Sequence, residues 1–335
     1  MPTIEYSKAV TVVDRILAQA GVPEKHAVLQ RDLLLDAEMR GIASHGLLRL
    51  PRIVERIANG VADPMTQGHH DWRAPGFLHV DGQRGLGPVV AQAALDALLD
   101  RAATQGVAIA SIANSNHIGM LGFYADRVAE TGRCLIAFST SEALVHPWGG
   151  RQAMIGTNPI AIGLPTGGGT FMMDTATSIV SMGEVHDHAD RGAPIPLGWA
   201  FDSQGNPTTD AAAARDGAIA PFGNAKGYAL GLAFELLVTS LAGAAIGRDV
   251  KGTLDSTHVA SKADLFIIID QQLSPVAGFL DLLRAEAPAD GFDQVRIPGE
   301  RGRDLRQRAM TAGIAIAGGT WNRLCDLAGE PASTS

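Results

Sequence analysis

Cysteine is nearly absent from this chain: Cys134 and Cys325 are the only two in 335 residues. Two such thiols make neither a disulfide framework nor a CxxC zinc site, and they suit a reducing, cytoplasmic setting. A basic excess is missing too. With 27 Lys and Arg against 35 Asp and Glu, the formal net charge is −8, which argues against nucleic acid or an anionic membrane as a partner. The opening MPTIEYSKAVTVVDRI has no basic n-region before an apolar core, so no secretory signal is expected. The dinucleotide fingerprint GxGxxG does not occur; GQRGLG at Gly82 to Gly87 has its glycines in the wrong order for a phosphate turn. Gly-Lys, GxSxG and HExxH are also absent, which disfavours a Walker nucleotidase, an elbow hydrolase and a zincin. What remains is ordinary globular material. Hydrophobic residues make up 46% of the chain, enough for two domains with substantial cores, and 39 Gly with 17 Pro exclude a long coiled coil.

One long apolar run needs a membrane test. Gly227 to Gly247 has the length of a span, but Glu235 near its centre would cost about 2.5–3.5 kcal/mol in lipid. It is read as a buried helix. Around it the pattern gives three N-terminal helices. The first carries Val10, Val13 and Leu17 and stops at Gly21, the second opens at Pro23 and closes at Gly41, and the third runs from His45 to Ala58. Helical stretches at Pro88–Gln105 and Tyr124–Thr131 then alternate with β-rich runs at Gly76–Val80, Val107–Ile112, Cys134–Ser139, Ile160–Leu164 and Phe171–Asp174. Residues 185–226 read as a long structured loop, followed past the apolar helix by a strand at Asp264–Asp270 and a helix at Pro275–Glu286. A terminal helix from near Arg303 and a frayed PASTS end complete the pattern. The runs HDHAD (His186 to Asp190) and His69-His70 have metal-friendly residue types but read as solvated loops, and no metal is expected.

Six stretches carry possible chemistry. In SHGLLRLPRIVERI, Ser44 caps a helix, His45 sits in its first turn and Arg49 follows at i+4 on the same face. A proton donor one turn from a guanidinium fork suits a 2-oxo or 2-hydroxy acid; the bland alternative is a capped helix with a solvated arginine. NSNHIG puts His117 just after an apolar strand, as a second acid/base or a loop histidine satisfied by amides. MIGTNPIAIGLP offers Thr157 and Asn158 to a substrate, or to a turn. DTATS, Asp174 to Ser178, lines a dinucleotide, or else Asp174 caps the next helix. FGNAKGYAL places Lys226 and Gly227 at a helix start, an anion-binding arrangement, and PGERGR, Pro298 to Arg303, is another glycine turn opening a helix.

In this order SHGLLRLP, NSNHIG, GTNPIA, DTATS, PTTD, KGY and PGE resemble the type-2 malate/L-lactate dehydrogenase family, over about residues 5–320. That family includes enzymes similar to ureidoglycolate, sulfolactate, diketogulonate and piperideine-2-carboxylate oxidoreductases. The resemblance implies an α+β chain with helical N- and C-terminal parts around a non-Rossmann cofactor-binding sheet. The helical part would take residues 1–75, about 205–260 and 300–335, and the sheet part about 76–204 and 261–299. It implies NAD or NADP as cofactor, a small carboxylate substrate and a homodimer. By position, His45 becomes the proton donor/acceptor with Ser44 beside it, Arg49 the carboxylate clamp, and His117 the second motif histidine, assigned in some members as proton acceptor. Thr157 falls on the substrate side. Asp174, Thr175, Ala176, Thr177, Ser178, Lys226, Gly227, Gly299, Glu300 and Arg301 match cofactor-binding segments, with Ser141 a further candidate. Thr175, Ile118 and the pair Asn224-Ala225 depart from the family pattern, which puts pocket shape in question rather than chemistry. Arg301 and Arg303, where Pro or an acid is expected, tilt the reading toward NADP. The expected reaction interconverts a 2-oxo and a 2-hydroxy acid; the alternative is reduction of a cyclic imino acid.

Overall fold

A computed structural model describes residues 2–330, so the expected frayed PASTS end lies outside the described residues. Strand β1 (Thr3–Ile4) leads into helices α1 (Tyr6–Gln19) and α2 (Glu24–Met39). Helix α1 buries Val12, Val13, Ile16 and Leu17, the one-stripe spacing of an amphipathic helix. The third helix departs from expectation. Residues 43–49 form two single 3₁₀ turns, Ala43–His45 and Leu47–Arg49, and α3 begins only at Leu50 and ends at Ala58. Two features fix this break. Pro51 favours the start of a helix over its interior, and the Leu47 N–H donates to the buried Glu38 carboxylate at 2.9 Å instead of to an upstream carbonyl. Ser44 therefore caps no helix.

The chain next lays down β2 (His69–Ala74), β3 (Phe77–Asp81), α4 (Gly87–Gln105), β4 (Val107–Ala113), α5 (Leu121–Glu130), β5 (Cys134–Ser139), β6 (Ile160–Pro165) and β7 (Thr170–Thr175). His69-His70, read as loop, lie on β2. Residues 182–219, also read largely as loop, form α6 (Met182–Asp190), β8 (Ala200–Phe201), β9 (Pro207–Thr208), α7 (Ala211–Ala214) and β10 (Ala218–Ile219). Their strands make a three-stranded sheet over a small core of Val145, Ile155, Val185, Ile195 and Ile219. Gly and Pro are dense there because the strands are two residues long and every connection is a turn. After α8 (Ala225–Ala242), β11 (Asp264–Ile269) and α9 (Ala277–Arg284), the terminal helix proves to be two. Helix α10 (Glu300–Ala312) starts before Arg303, and β12 (Ile314–Ala315), paired with β1, separates it from α11 (Gly318–Ala328).

The main sheet runs β2-β3-β4-β11-β5-β6-β7; β3 and β4 are parallel and every other pair is antiparallel. Strand β11 alternates faces. Phe266 and Ile268 join Val12, Leu34, Leu98, Tyr124 and Trp321 in a core continuous with the N- and C-terminal helices. Leu265 packs the other way, with Phe138, Val238 and Ala242, under α8. Helix α8 is the one described helix long and apolar enough to cross a membrane, but Glu235 is wholly buried, accepting N–H bonds from Gly156 (3.0 Å), Gly247 (2.6 Å) and Asn158 Nδ2 (2.6 Å). Contrary to the buried helix expected from the sequence, α8 leaves Leu230, Leu236 and Leu237 exposed. The strand directions have one consequence for the site. The C-terminal ends of β3, β4, β5 and β7 and the N-terminal ends of β6 and β11 share one edge of the sheet.

Candidate active site

The two 3₁₀ turns after α2 hold the first motif. Gly46, between them, leaves no room for a side chain, because a Cβ there would lie 2.2 Å from Glu38 Oε2. Glu38 is thus the floor of the turn; burial pushes its carboxyl up to about 7, against the Leu47 N–H bond that favours the charged form. On this turn Ser44 Oγ lies 3.1 Å from His45 Nδ1. The His45 and His117 rings meet at 5.3 Å between centroids, 33° from parallel. Both rings are held neutral. Burial first, then the Arg49 charge, lowers His45 to about 4; burial, Arg49, His45 and the buried Lys262 push His117 well below 6.5. The Gly119 N–H donates to His117 Nδ1 at 3.1 Å, so neutral His117 carries its proton on Nε2. Gly87 is required here as well, since its Cβ would stand 2.1 Å from the His117 carbonyl oxygen.

His117 lines a narrow cleft together with Arg49, Arg52, Arg56, Asn116 and Thr253. Arg49 Nε–H donates to the Ser44 carbonyl at 2.7 Å, and one terminal nitrogen approaches the Thr253 carbonyl at 3.4 Å. Burial and the neighbouring Arg52 lower Arg49 to about 10, with Glu142 opposing, so it is a cation at neutral pH. Glu142 accepts N–H bonds from Thr253 (2.8 Å) and Leu254 (2.9 Å) and so pins the loop that closes over Arg49. Arg56 is structural: it donates to Asn116 Oδ1 at 2.8 Å and to the Asp255 carbonyl at 2.8 Å. Asn116 in turn donates to the carbonyls of Arg84 and Gly85, which turns GQRGLG into an anchor for the NSNHIG loop.

The expected cofactor segments fall into a continuous band along the same sheet edge. The Thr157 N–H donates to Ser141 Oγ at 3.0 Å, and Thr177 donates from both its N–H (2.8 Å) and Oγ1 (2.9 Å) to the Thr157 carbonyl. Thr177 and Ser178 run against residues 220–222, which deliver the chain to Lys226 and Gly227 in the first turn of α8. Lys226 and Thr175 are exposed, and Ala176 is half-buried. A dinucleotide fits this band on one internal observation: three buried side-chain polar atoms among the described residues lack a partner, and two of them, Ser178 Oγ and Asn158 Oδ1, lie in it. Asp174 belongs elsewhere. It caps neither the next helix nor open space but accepts the Gly122 N–H at 2.6 Å at the start of α5, and burial raises it to about 6. Gly299 packs on the same side, its Cβ position 2.6 Å from the Met172 carbonyl. Two of the expected residues at α10 have partners within the chain. Glu300 accepts from the Ile297 N–H and from Arg284, so its carboxylate is engaged within the chain. Arg303 pairs with Asp126 (3.2 Å), which also pairs with the buried Arg40 (2.7 Å), whereas Arg301 is exposed.

The sequence reading overlooked Glu38, Arg52, Glu142, Thr253 and Lys262. Arg52 was visible in principle, three residues past Arg49 on the same helical face. The others are joined to the site only by tertiary folding. The HDHAD run lies on α6, with His188 Nε2 3.6 Å from Glu184 and Asp190 paired to Arg215; no group of three or more His, Cys, Asp or Glu among the described residues is placed to hold a metal.

Comparisons with known proteins agree with this arrangement. The family model described as malate/L-lactate dehydrogenase matches residues 4–325. The chain is 33% identical to an L-sulfolactate dehydrogenase of Methanocaldococcus jannaschii, over 94% of this chain and 93% of that one. It is 34% identical to a Δ1-pyrroline-2-carboxylate/Δ1-piperideine-2-carboxylate reductase of Pseudomonas aeruginosa, over 90% and 92%. The crystal structure of a dehydrogenase from Sinorhizobium meliloti superposes with a TM-score of 0.94 at 49% identity, covering 97% and 98% of the two chains. With the fold, the motif order and a full-length match in agreement, this chain belongs to the malate/L-lactate dehydrogenase family and is an oxidoreductase.

Proposed function

We propose that the chain interconverts a small 2-oxo acid and the corresponding 2-hydroxy acid, with His45 and His117 as the proton-handling pair and Arg49 as the carboxylate anchor. The observation that carries this reading is the shared cleft: Arg49 and His117 line one space, and the His45 ring lies 5.3 Å from that of His117. A 2-oxo acid held by the guanidinium presents its C2 oxygen within one turn of an imidazole. His117, protonated on Nε2, donates a hydrogen bond to that oxygen, and the neutral His45 beside it takes up or returns the proton. A bound nicotinamide supplies the hydride. The Ser141–Thr157–Thr177–Ser178 band and Lys226 would hold the dinucleotide, and Arg301, free of any partner among the described residues, favours a 2′-phosphate and hence NADP. The exposed leucines of α8 suit burial against a second copy of the chain, giving a homodimer. The free, buried Cys134 and Cys325 suit the cytoplasm.

The test is a panel of 2-oxo acids and cyclic imino acids, followed by loss of NADPH or NADH absorbance. Turnover of 2-oxo acids supports the reading. Turnover confined to cyclic imines would replace it with C=N reduction, which the same clamp and proton donor can serve.

A further inference from the structure

The loop that carries His117 has no regular structure of its own. Residues 114–120, between β4 and α5, belong to no helix or strand. The near end is tied down by Asn116, which donates from its side chain to the carbonyls of Arg84 and Gly85 and from its N–H to Gly85 at 3.1 Å. In the middle, the Tyr124 hydroxyl donates to the Ile118 carbonyl at 2.6 Å, and the Gly119 N–H donates to the His117 ring. The far end runs into α5, where Met120 holds the N-cap position and makes no capping bond. That cap comes instead from Asp174, 52 residues further along the chain. Its Oδ2 accepts the Gly122 N–H at 2.6 Å, and the Leu121 N–H bonds to the same carboxylate. A carboxylate at a helix start is favoured both by these charged bonds and by the helix dipole. Gly122 permits the approach, since a Cβ there would lie 2.9 Å from Met172 Sδ and 3.1 Å from Asp174 Oδ2. Arg40, the charge that acts on Asp174, is itself paired with Asp36 (2.8 Å) and Asp126 (2.7 Å), so the carboxylate is committed to the two amides.

We propose that Asp174 is a positioning residue for His117: by holding the start of α5 it fixes the far end of the loop, and with it the ring that meets the reacting oxygen. The inference rests on the proton role given to His117 above. Strand β7 serves both sides of this arrangement. Asp174, next to its last residue, holds α5, and Thr177 and Ser178 of the dinucleotide band follow directly after it. One strand end thus sets the imidazole against the dinucleotide. Released from Asp174, the ring keeps only its own Gly119 bond and the Tyr124 tie, and a displacement of about 1 Å in a reacting group costs on the order of 100-fold in rate.

The experiment compares wild type with Asp174→Ala, Asp174→Ser and Asp174→Asn. It measures kcat at saturating dinucleotide for the 2-oxo acid turned over best, dinucleotide Kd by fluorescence titration, and hydrogen exchange of the peptide spanning residues 114–122. Ala and Ser carry no acceptor long enough to reach the α5 amides, whereas Asn keeps an oxygen there. Asp174→Ala should lower kcat by about 10- to 100-fold, leave the dinucleotide Kd little changed and speed exchange in that peptide by at least about tenfold. Asp174→Ser should do the same, and it carries the test if Asp174→Ala fails to fold. Asp174→Asn should recover most of both losses. A raised dinucleotide Kd with unchanged kcat in all variants makes Asp174 a ligand of the dinucleotide and overturns the proposal. Faster exchange without loss of kcat also overturns it. So does a kcat as low in Asp174→Asn as in Asp174→Ala with exchange at the wild-type rate, because the charge rather than the tie would then matter. Absence of turnover of every 2-oxo acid by wild type overturns the assigned reaction, and this role beside His117 with it.

Discussion

Glu38 offers a test of the turn that positions the site, and one that needs no substrate. The residue is 8% exposed, and its carboxylate accepts the Leu47 N–H at 2.9 Å with no cation against it. Burial raises it from 4.5 to about 7. The linkage sign follows from a raised folded value. The contribution to stability is complete below the unfolded value of 4.5 and is lost as pH rises through about 7. At 1.36 kcal/mol for each pH unit between the two values, the loss is about 3 kcal/mol. Glu38→Gln keeps an oxygen for the Leu47 N–H and removes the titration. In urea unfolding followed by circular dichroism, the variant should match wild type at pH 4.5 and exceed it by up to about 3 kcal/mol at pH 8. Equal differences at both pH values would refute the reasoning, because a packing defect carries no such pH dependence. Glu38→Ala, which leaves the Leu47 N–H unsatisfied under the turn, should lie about 1–3 kcal/mol below Glu38→Gln at either pH and raise the KM for the acid substrate.

Three further outcomes follow from the site. His45, lowered to about 4, should give the oxidation direction an acidic limb near that value and a plateau across neutral pH; an added limb near 6.5 that persists in His45→Ala would move the titrating role off this residue. Gly87→Ala drives a methyl into the His117 carbonyl, so kcat should fall at least about tenfold with dinucleotide KM little changed, and normal kcat would show that the His117 position is not critical. Arg301→Glu should reduce use of NADPH relative to NADH, whereas Arg303→Glu, by opposing Asp126, should cost about 1–3 kcal/mol in unfolding measurements without a matching change in cofactor preference; the reverse pattern would exchange their roles.

The parts of this protein legible in the sequence are those that local rules fix. The apolar periods of α1, α4 and β11, the Gly and Pro stops, and the β-rich runs all correspond to elements. The misreadings share a cause. His45 looked helical because Ser44 reads as a cap and Arg49 follows at i+4, yet the turn is set by Glu38, on the preceding helix, capturing the Leu47 N–H. The low His45 value comes from burial first and Arg49 second, on a single 3₁₀ turn rather than at a helix start. Residues 185–226 looked like loop because the two-residue strands within them have too few positions to show a period of two. Arg303 looked free because its partner Asp126 is 177 residues away.

The motif pieces, each weak alone, gain their force from strand direction. Because β11 is antiparallel to both β4 and β5, those two strands end at the same edge, which brings the His117 loop and Ser141 together. Strand β6 runs back from that edge, so Thr157 and Asn158 precede it there, and β7 returns to it, so Thr177 and Ser178 follow there. A shift of any one strand to the opposite direction would carry its motif about 15–20 Å away, the length of a five- or six-residue strand. The sheet order thus gathers at a single edge the hydroxyl-bearing motif residues and the helix start at Lys226. The Ser44–Arg49 turn comes to this edge separately, from the helical part, and it meets the sheet through the His45–His117 contact. The Ser44–Arg49 turn and the sheet edge thus belong to different parts of the fold, with that pair of rings as the joint between them.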